Sequence, residues 1–360
     1  MTRPACVIIN TQAARANLKT VRKYASHQRV MAIIKADAYG HGLVRMARAL
    51  SGADAFGVAS LEEAQELREH AIEHPVVLLE GPFGAEELVD LARLDIETVI
   101  HHDAQLDMLR GLPATKAVRV WLKIDSGMHR LGFPPQRVRE VWSRLRECAG
   151  VRGTRLMTHL ACAQRRRDPS VGEQLRCFAE ATSDLEGERC MANSAAIMTC
   201  PQALGDWVRP GIMLYGVSPL SEECGQSEEL LPVMTLKSAL IAVNDVKAGE
   251  AVGYGATWRC PQDMRIGIVA MGYGDGYPRH AASGTPILVK GHRAALIGKA
   301  SMDMLTVDLR GIPDPRVGDP VVLWGEGLPV EEVAQCAETI PYELLCSVRL
   351  RARFVEVGDG

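Results

Sequence analysis

Apolar and polar positions follow one repeating pattern over the first two thirds of the chain. Val30-Met31-Ala32-Ile33-Ile34 is an apolar run that ends at Lys35 and meets Gly40 and Gly42, the pattern of a buried strand closed by a turn. Before it, Leu18 and Val21 share the face of a helix that Thr11 can cap. After it, Leu43, Met46, Ala47 and Leu50 recur at helical spacing. The unit then repeats. Residues 55–59, 76–79, 98–100, 118–124, 156–160, 190–192 and 206–208 read as further strands separated by helical or polar stretches. Ser60-Leu61-Glu62-Glu63 has the Ser-x-x-Glu form of a capping box opening one of those helices. Eight strands alternating with helices and joined by right-handed parallel crossovers predict an α/β fold, a (β/α)8 barrel of the TIM type.

Near residue 220 the helical period disappears. Residues 221–229 are polar and acidic, as in a linker, and short strands follow at 240–243, 265–269, 287–289, 293–297, 305–307 and 321–324. One amphipathic helix is expected at 330–337. The expected division is a barrel over 1–222 and a mostly β domain over 223–360, with residues 1–10 available to pair with the latter.

Composition narrows the function classes. A formal net charge of −3 over 360 residues gives no electrostatic reason to expect nucleic acid or an anionic membrane as a partner. No apolar run approaches the roughly 20 residues of a spanning helix, and residues 1–9 lack the form of a secretory signal, so a cytoplasmic location is expected. The ten cysteines contain no C-x-x-C pair and no metal-ligand spacing with the histidines, so reduced thiols and no metal are expected.

In a (β/α)8 barrel the functional residues stand at the carboxyl ends of the strands. Here those ends carry Lys35, His101 and His102, Lys123 and Asp125 followed by Arg130, Thr158 and His159, Asn193 and Ser194, and Arg209. Each alone reads equally as an ordinary loop residue; their shared location is the signal. Ser194 and the loop Arg209-Pro210-Gly211-Ile212 fall where such barrels commonly bind phosphate. A phosphate site and a strand-end lysine at one mouth point to a phosphorylated aldehyde held as a Schiff base, and pyridoxal phosphate satisfies both. In the second domain, Tyr254 and Tyr273 each stand between glycines, a choice that weakens a strand unless backbone or ligand approaches closely. Tyr254 reads either as a proton donor or acceptor, or as a packed edge residue; Asp303 in Ser301-Met302-Asp303-Met304 reads as functional or as a turn cap.

Ile34-Lys35-Ala36-Asp37-Ala38-Tyr39-Gly40-His41-Gly42, Lys123-Ile124-Asp125-Ser126-Gly127-Met128-His129-Arg130-Leu131-Gly132 and Ala192-Asn193-Ser194-Ala195-Ala196 carry a family resemblance. So do Val208-Arg209-Pro210-Gly211-Ile212, Gly253-Tyr254-Gly255-Ala256-Thr257, Tyr273-Gly274-Asp275-Gly276, Ser301-Met302-Asp303 and Ile340-Pro341-Tyr342-Glu343. In this order the chain resembles bacterial alanine racemase, a pyridoxal-phosphate enzyme of fold type III. The resemblance implies a head-to-tail homodimer in which each site takes Tyr254, Tyr273, Met302 and Asp303 from the other chain. It implies a cofactor on Lys35, with Tyr39, Ser194, Gly211, Ile212 and Tyr342 at the phosphate and Arg209 at the ring nitrogen.

Racemisation removes a proton from one face of the α-carbon and returns one to the other, so two acid/base groups must face each other. The resemblance assigns Lys35 to the D face and Tyr254 to the L face, with His159 and Arg209 supporting the phenolate. It places Arg130 and the Met302 backbone on the substrate carboxylate, with Asp303 beside them. It makes Lys123 a candidate for carbamylation. Gln164, Lys299, Tyr273, Arg279 and Ile340 map to the substrate entrance, where Gln164 and Lys299 depart from the usual acidic residue and arginine. The ending Arg349-Leu350-Arg351-Ala352-Arg353 also departs, with no functional change implied. Two rivals remain: a non-catalytic cofactor carrier, and a racemase or decarboxylase of another amino acid.

Overall fold

The chain opens with strand β1 (Cys6–Asn10), which runs directly into the helix Thr11–Tyr24. The helix is capped one residue earlier than the sequence implied: Asn10 is extended and its side chain accepts from the Ala13 N–H at 3.0 Å, leaving Thr11 as the first helical residue. The structure, a computed structural model, describes residues 3–220, 225, 229–348 and 351–358. The expected linker and the 222/223 boundary fall largely outside these residues, as do Arg349 and Leu350.

Eight parallel strands close into a barrel: β2 (Arg29–Ile33), β3 (Ala55–Val58), β4 (Val76–Leu78), β5 (Ile96–Ile100), β6 (Val118–Lys123), β7 (Val151–Met157), β8 (Arg189–Asn193) and β9 (Trp207–Arg209). The ring is completed by β9 pairing with β2 through Arg29 with Trp207 and Val30 with Val208. All eight anticipated strands are present. Strand β7 begins earlier than expected, because Arg152, Gly153 and Arg155 dilute its apolar signal. Strand β2 is shorter than expected. Its ladder ends as the Ile33 and Ile34 N–H groups donate to Pro210 O and Gly57 O, and Lys35 belongs to the turn beyond.

The second region is antiparallel: β10 (Met234–Val246), the hairpin β11 (Ala251–Val252) and β12 (Trp258–Arg259), β13 (Met264–Val269), β14 (Pro286–Val289), β15 (His292–Leu296), β16 (Leu305–Asp308), β17 (Pro320–Trp324) and β18 (Arg353–Val357). Strand β10 pairs with β17 and β13, bending at an irregularity between Leu240 and Ala242, and also with β1. Strand β1 in turn pairs in parallel with β18, so both ends of the described chain are stitched into one sheet. The helix expected at 330–337 is Val330–Cys336; a second, Pro341–Ser347, was not anticipated.

The barrel interior is filled by side chains two residues below those at its mouth, as the alternation of a strand requires. Arg155 bonds Glu97 at 2.7 Å and Glu188 at 2.6 Å, and its guanidinium lies about 5 Å from the rings of both Trp121 and Trp207. The Trp121 indole N–H donates to Glu97 at 2.7 Å and that of Trp207 to Glu188 at 2.8 Å. Arg119 and Arg29 pair with the same two carboxylates.

Candidate active site

Lys35 emerges from β2 into an unusual turn. Ala36, Asp37, Ala38 and Tyr39 have φ of 56°, 50°, 52° and 55°, followed by Gly40 at 78°. A left-handed conformation costs a non-glycine residue roughly 1–2 kcal/mol, so the surroundings must impose this one. Gly40 is required there, since a Cβ would stand 2.3 Å from the Leu345 carbonyl oxygen. The buried His41 ring places Nδ1 against the carbonyls of Ala38 and Tyr39, and it packs on Tyr215, whose hydroxyl donates to Ile33 O at 2.9 Å.

The turn delivers Lys35 and Tyr39 to a cavity of about 1250 Å³ at the carboxyl ends of the barrel strands. Lys123, Arg130, His159, Gln164, Ser194, Arg209, Gly211, Ile212, Ile340 and Tyr342 line the same cavity. Twelve predicted residues are thus brought together. Tyr254, Tyr273, Arg279, Lys299, Met302 and Asp303 are not among its lining residues. They lie on the β domain, where Tyr254 is 67 % exposed and Met302 52 %. There the Tyr273 N–H donates to Ser301 O and the Gly274 N–H to Met302 O, while the Arg279 guanidinium stacks on the Tyr273 ring. This is the close backbone approach that the flanking glycines implied: a Cβ on Gly272 would stand 2.4 Å from Met302 O. Asp303 pairs with Arg351, and Arg3 donates to its carbonyl.

Arg209 is buried, and its described bonds run to neutral groups: Thr158 O at 2.6 Å, Cys190 O and Sγ at 2.9 Å, Met191 O at 3.3 Å and His159 Nδ1 at 3.4 Å. Burial, and then the charges of Arg209, Arg130, Lys123 and Lys35, hold His159 far below the usual imidazole range, so its ring is neutral. With Nδ1 accepting from Arg209, the ring proton sits on Nε2. Burial, then Arg209, Arg130 and Lys35, pull the Lys123 amine down to about 8. Burial keeps the Tyr39 phenol protonated and pushes Tyr342 up to about 12, which leaves both as hydroxyl donors. The Ser194 hydroxyl accepts from the Gly211 N–H at 2.8 Å, and a Cβ on Gly211 would stand 2.6 Å from the Tyr39 oxygen.

Four cations thus converge on the mouth. Of the carboxylates lining it, Glu331 accepts from the Ser218 and Gly225 N–H groups, Glu332 pairs with Arg293, and Glu80 sets one negative charge against Lys123. A polyanion with a polar ring fits what is left: positive charge, hydroxyl donors and a glycine cradle on one side, and a primary amine on the other. Sequence reasoning missed Gln174, which takes the Ala161 N–H and donates to His159 O at 3.1 Å, fixing the loop that carries the histidine. Its signal was a polar residue on the apolar face that includes Val171, Phe178 and Ala181. Cys346, on the cavity wall, had no signal.

Fold and site together define a (β/α)8 barrel that presents a lysine and a cluster of cationic and hydroxyl side chains in one cavity at its mouth. Residues 9–219 match the family model of the alanine racemase N-terminal domain, and residues 233–356 that of the alanine racemase C-terminal domain. The alanine racemase of Thioalkalivibrio sulfidiphilus is 52% identical over 99% of this chain and 100% of its own length; that of Halorhodospira halophila is 49% identical over 98% of each. The crystal structure of the biosynthetic alanine racemase from Pseudomonas aeruginosa superposes with a TM-score of 0.95 at 45% identity, covering 99% of this chain and 100% of that one. An alanine racemase from Bartonella henselae with covalently bound pyridoxal phosphate, 27% identical, superposes at 0.90 over 99% of this chain and 100% of that one. The chain belongs to the alanine racemase family, whose members depend on pyridoxal phosphate.

Proposed function

We propose that this chain interconverts L- and D-alanine with pyridoxal phosphate attached to Lys35, in a cytoplasmic homodimer whose sites are each completed by the other chain. The observation that carries the reading is the cavity, which brings the Lys35 amine together with Arg130, Arg209 and the Tyr39, Ser194 and Tyr342 hydroxyls, while Tyr254 stands exposed on the β domain, available to a second chain. When bound, the cofactor would supply an electron-poor ring able to spread negative charge from the substrate α-carbon.

The protein's own residues do the rest. Tyr39, Ser194, Gly211, Ile212 and Tyr342 would hold the phosphate, the two tyrosines as neutral donors. Arg209 would hold the ring nitrogen, offering it a guanidinium that keeps its proton rather than a group that gives one up. Arg130, with the Met302 backbone and Asp303 from the partner chain, orients the substrate carboxylate. The Lys35 amine moves the proton on the D face, and Tyr254 Oη moves it on the L face. His159 Nε2–H donates to that phenolic oxygen, and Arg209 behind it favours the anion. Lys123, lowered into the range where its neutral amine can add carbon dioxide, becomes an anionic carbamate that holds Arg130. Gln164, Lys299, Tyr273, Arg279 and Ile340 frame the entrance and set its charge. The product serves peptidoglycan synthesis, or the enzyme consumes D-alanine.

The test is borohydride reduction followed by peptide mapping, run beside turnover assays on alanine, serine, lysine and arginine. The reading expects the label on Lys35 and alanine as the preferred substrate, with no carbon dioxide released. A label on another lysine, or a cofactor-loaded protein that leaves L-alanine unchanged, would overturn it.

A further inference from the structure

The Ser60-Leu61-Glu62-Glu63 stretch reads as a capping box, yet only half of the box forms. The Ser60 hydroxyl accepts from the Glu63 N–H at 3.4 Å, as the motif requires. In the motif the glutamate reaches back to the cap's own N–H. The Glu63 carboxylate instead accepts from the Ala59 N–H at 2.8 Å with one oxygen. With the other it accepts from the Ala36 N–H at 2.6 Å and the Asp37 N–H at 3.4 Å. Those two residues follow Lys35 directly and open the left-handed turn.

The far half of that turn has its own supports, His41 against the Ala38 and Tyr39 carbonyls and the Asp37 carboxylate on the Leu43 N–H at 2.6 Å. The half next to Lys35 is gripped by Glu63. Successive left-handed residues point consecutive N–H groups into one concavity, and an anion in such a nest favours the conformation. Ala36 cannot relax toward ordinary backbone angles without losing a 2.6 Å charge-assisted bond, and any such rotation swings the lysine it is joined to.

We propose that Glu63 is a positioning residue for the Lys35 amine: its carboxylate clamps the left-handed turn to the start of the helix Leu61–Glu69 and thereby sets where the lysine stands in the cavity. The proposal rests on Lys35 being the cofactor-bearing residue.

The test compares wild type, Glu63→Ala and Glu63→Gln as holoenzymes. In Glu63→Ala, kcat per bound cofactor falls by about 10²-fold, the cost of a misplacement near 1 Å, while KM for alanine is little changed. The pH midpoint of the visible band of the lysine-bound cofactor also shifts. Glu63→Gln keeps an oxygen for the Ala36 N–H but loses the charge, so its kcat falls by only roughly tenfold, and it carries the test if the alanine variant does not fold. Wild-type kcat and an unmoved midpoint in the glutamine and alanine variants overturn the proposal, as does a loss confined to folded fraction. Hydrogen exchange of residues 36–39 in the apoprotein separates this proposal from the functional reading. Faster exchange in Glu63→Ala supports the clamp whichever lysine borohydride labels, and unchanged exchange overturns it even if Lys35 is the one.

Discussion

The barrel holds arginines at two levels, one half-buried and one buried, that are satisfied in opposite ways. Below, Arg155 is enclosed by Glu97, Glu188 and two indole rings, with Arg119 and Arg29 on the same carboxylates. Above, Arg209 has backbone carbonyls, a thiol and a neutral imidazole around it, and Lys35, Lys123 and Arg130 add to its charge. The lower layer is complete without a ligand. The upper layer is not, and that deficit separates a level built for stability from one built for chemistry.

The comparison can be broken first at the top. Lys35→Ala is expected to abolish covalent cofactor and lower turnover by on the order of 10⁴-fold or more, with urea stability near wild type; a large stability loss would mean that the mouth, too, is structural. Tyr254→Phe should cost about 10²–10⁴-fold in abstraction from L-alanine, while exchange of the D-alanine α-hydrogen with solvent stays detectable by NMR. Equal loss from both enantiomers would count against separate bases. At the bottom, Glu97→Gln should behave inversely. It leaves Arg155 with Glu188 as its one remaining carboxylate and removes the carboxylate that Arg119 pairs with, and it should lower unfolding free energy by about 3 kcal/mol in urea titrations, while each folded molecule still turns over.

The smallest effect concerns Lys123. Its amine binds a proton below about pH 8 in the folded chain and, at its ordinary value of 10.5, up to higher pH when unfolded. Between those values the unfolded state holds more protons, so stability should rise with pH across that window, by roughly 1–3 kcal/mol. Carbamylation removes the titrating amine, so added bicarbonate should flatten the slope. A slope indifferent to bicarbonate would leave Lys123 an amine.

Much of this arrangement was legible in the residue pattern, for reasons that differ by level. Barrel strands announce themselves because strands buried on both faces must be apolar, as in Val76–Leu78 and Ile96–Ile100. Their polar ends, from Lys35 to Arg209, stand out against that background. The lower ionic layer was not foreseen, since Glu97 and Arg155 lie within strands and declare their partnership only after the ring closes. Backbone conformation was equally hidden: Ala36, Asp37 and Ala38 are ordinary residue types, and nothing local predicts their left-handed angles. The glycines beside Tyr254 implied a close approach of backbone or ligand, yet within the chain a Cβ on Gly253 would meet nothing nearer than 3.8 Å, and a sequence cannot tell an exposed edge residue from a functional one.

Strand β1 sits between β10 and β18, so this segment must wait for strands synthesised long after it before its sheet can form. The eight barrel strands, by contrast, are all available once Arg209 has emerged. Synthesis therefore imposes an order, with the lysine-bearing half assembled while the early segment Cys6–Asn10 still lacks both neighbours, and a nascent chain stalled in the second half would leave that edge bare to aggregation.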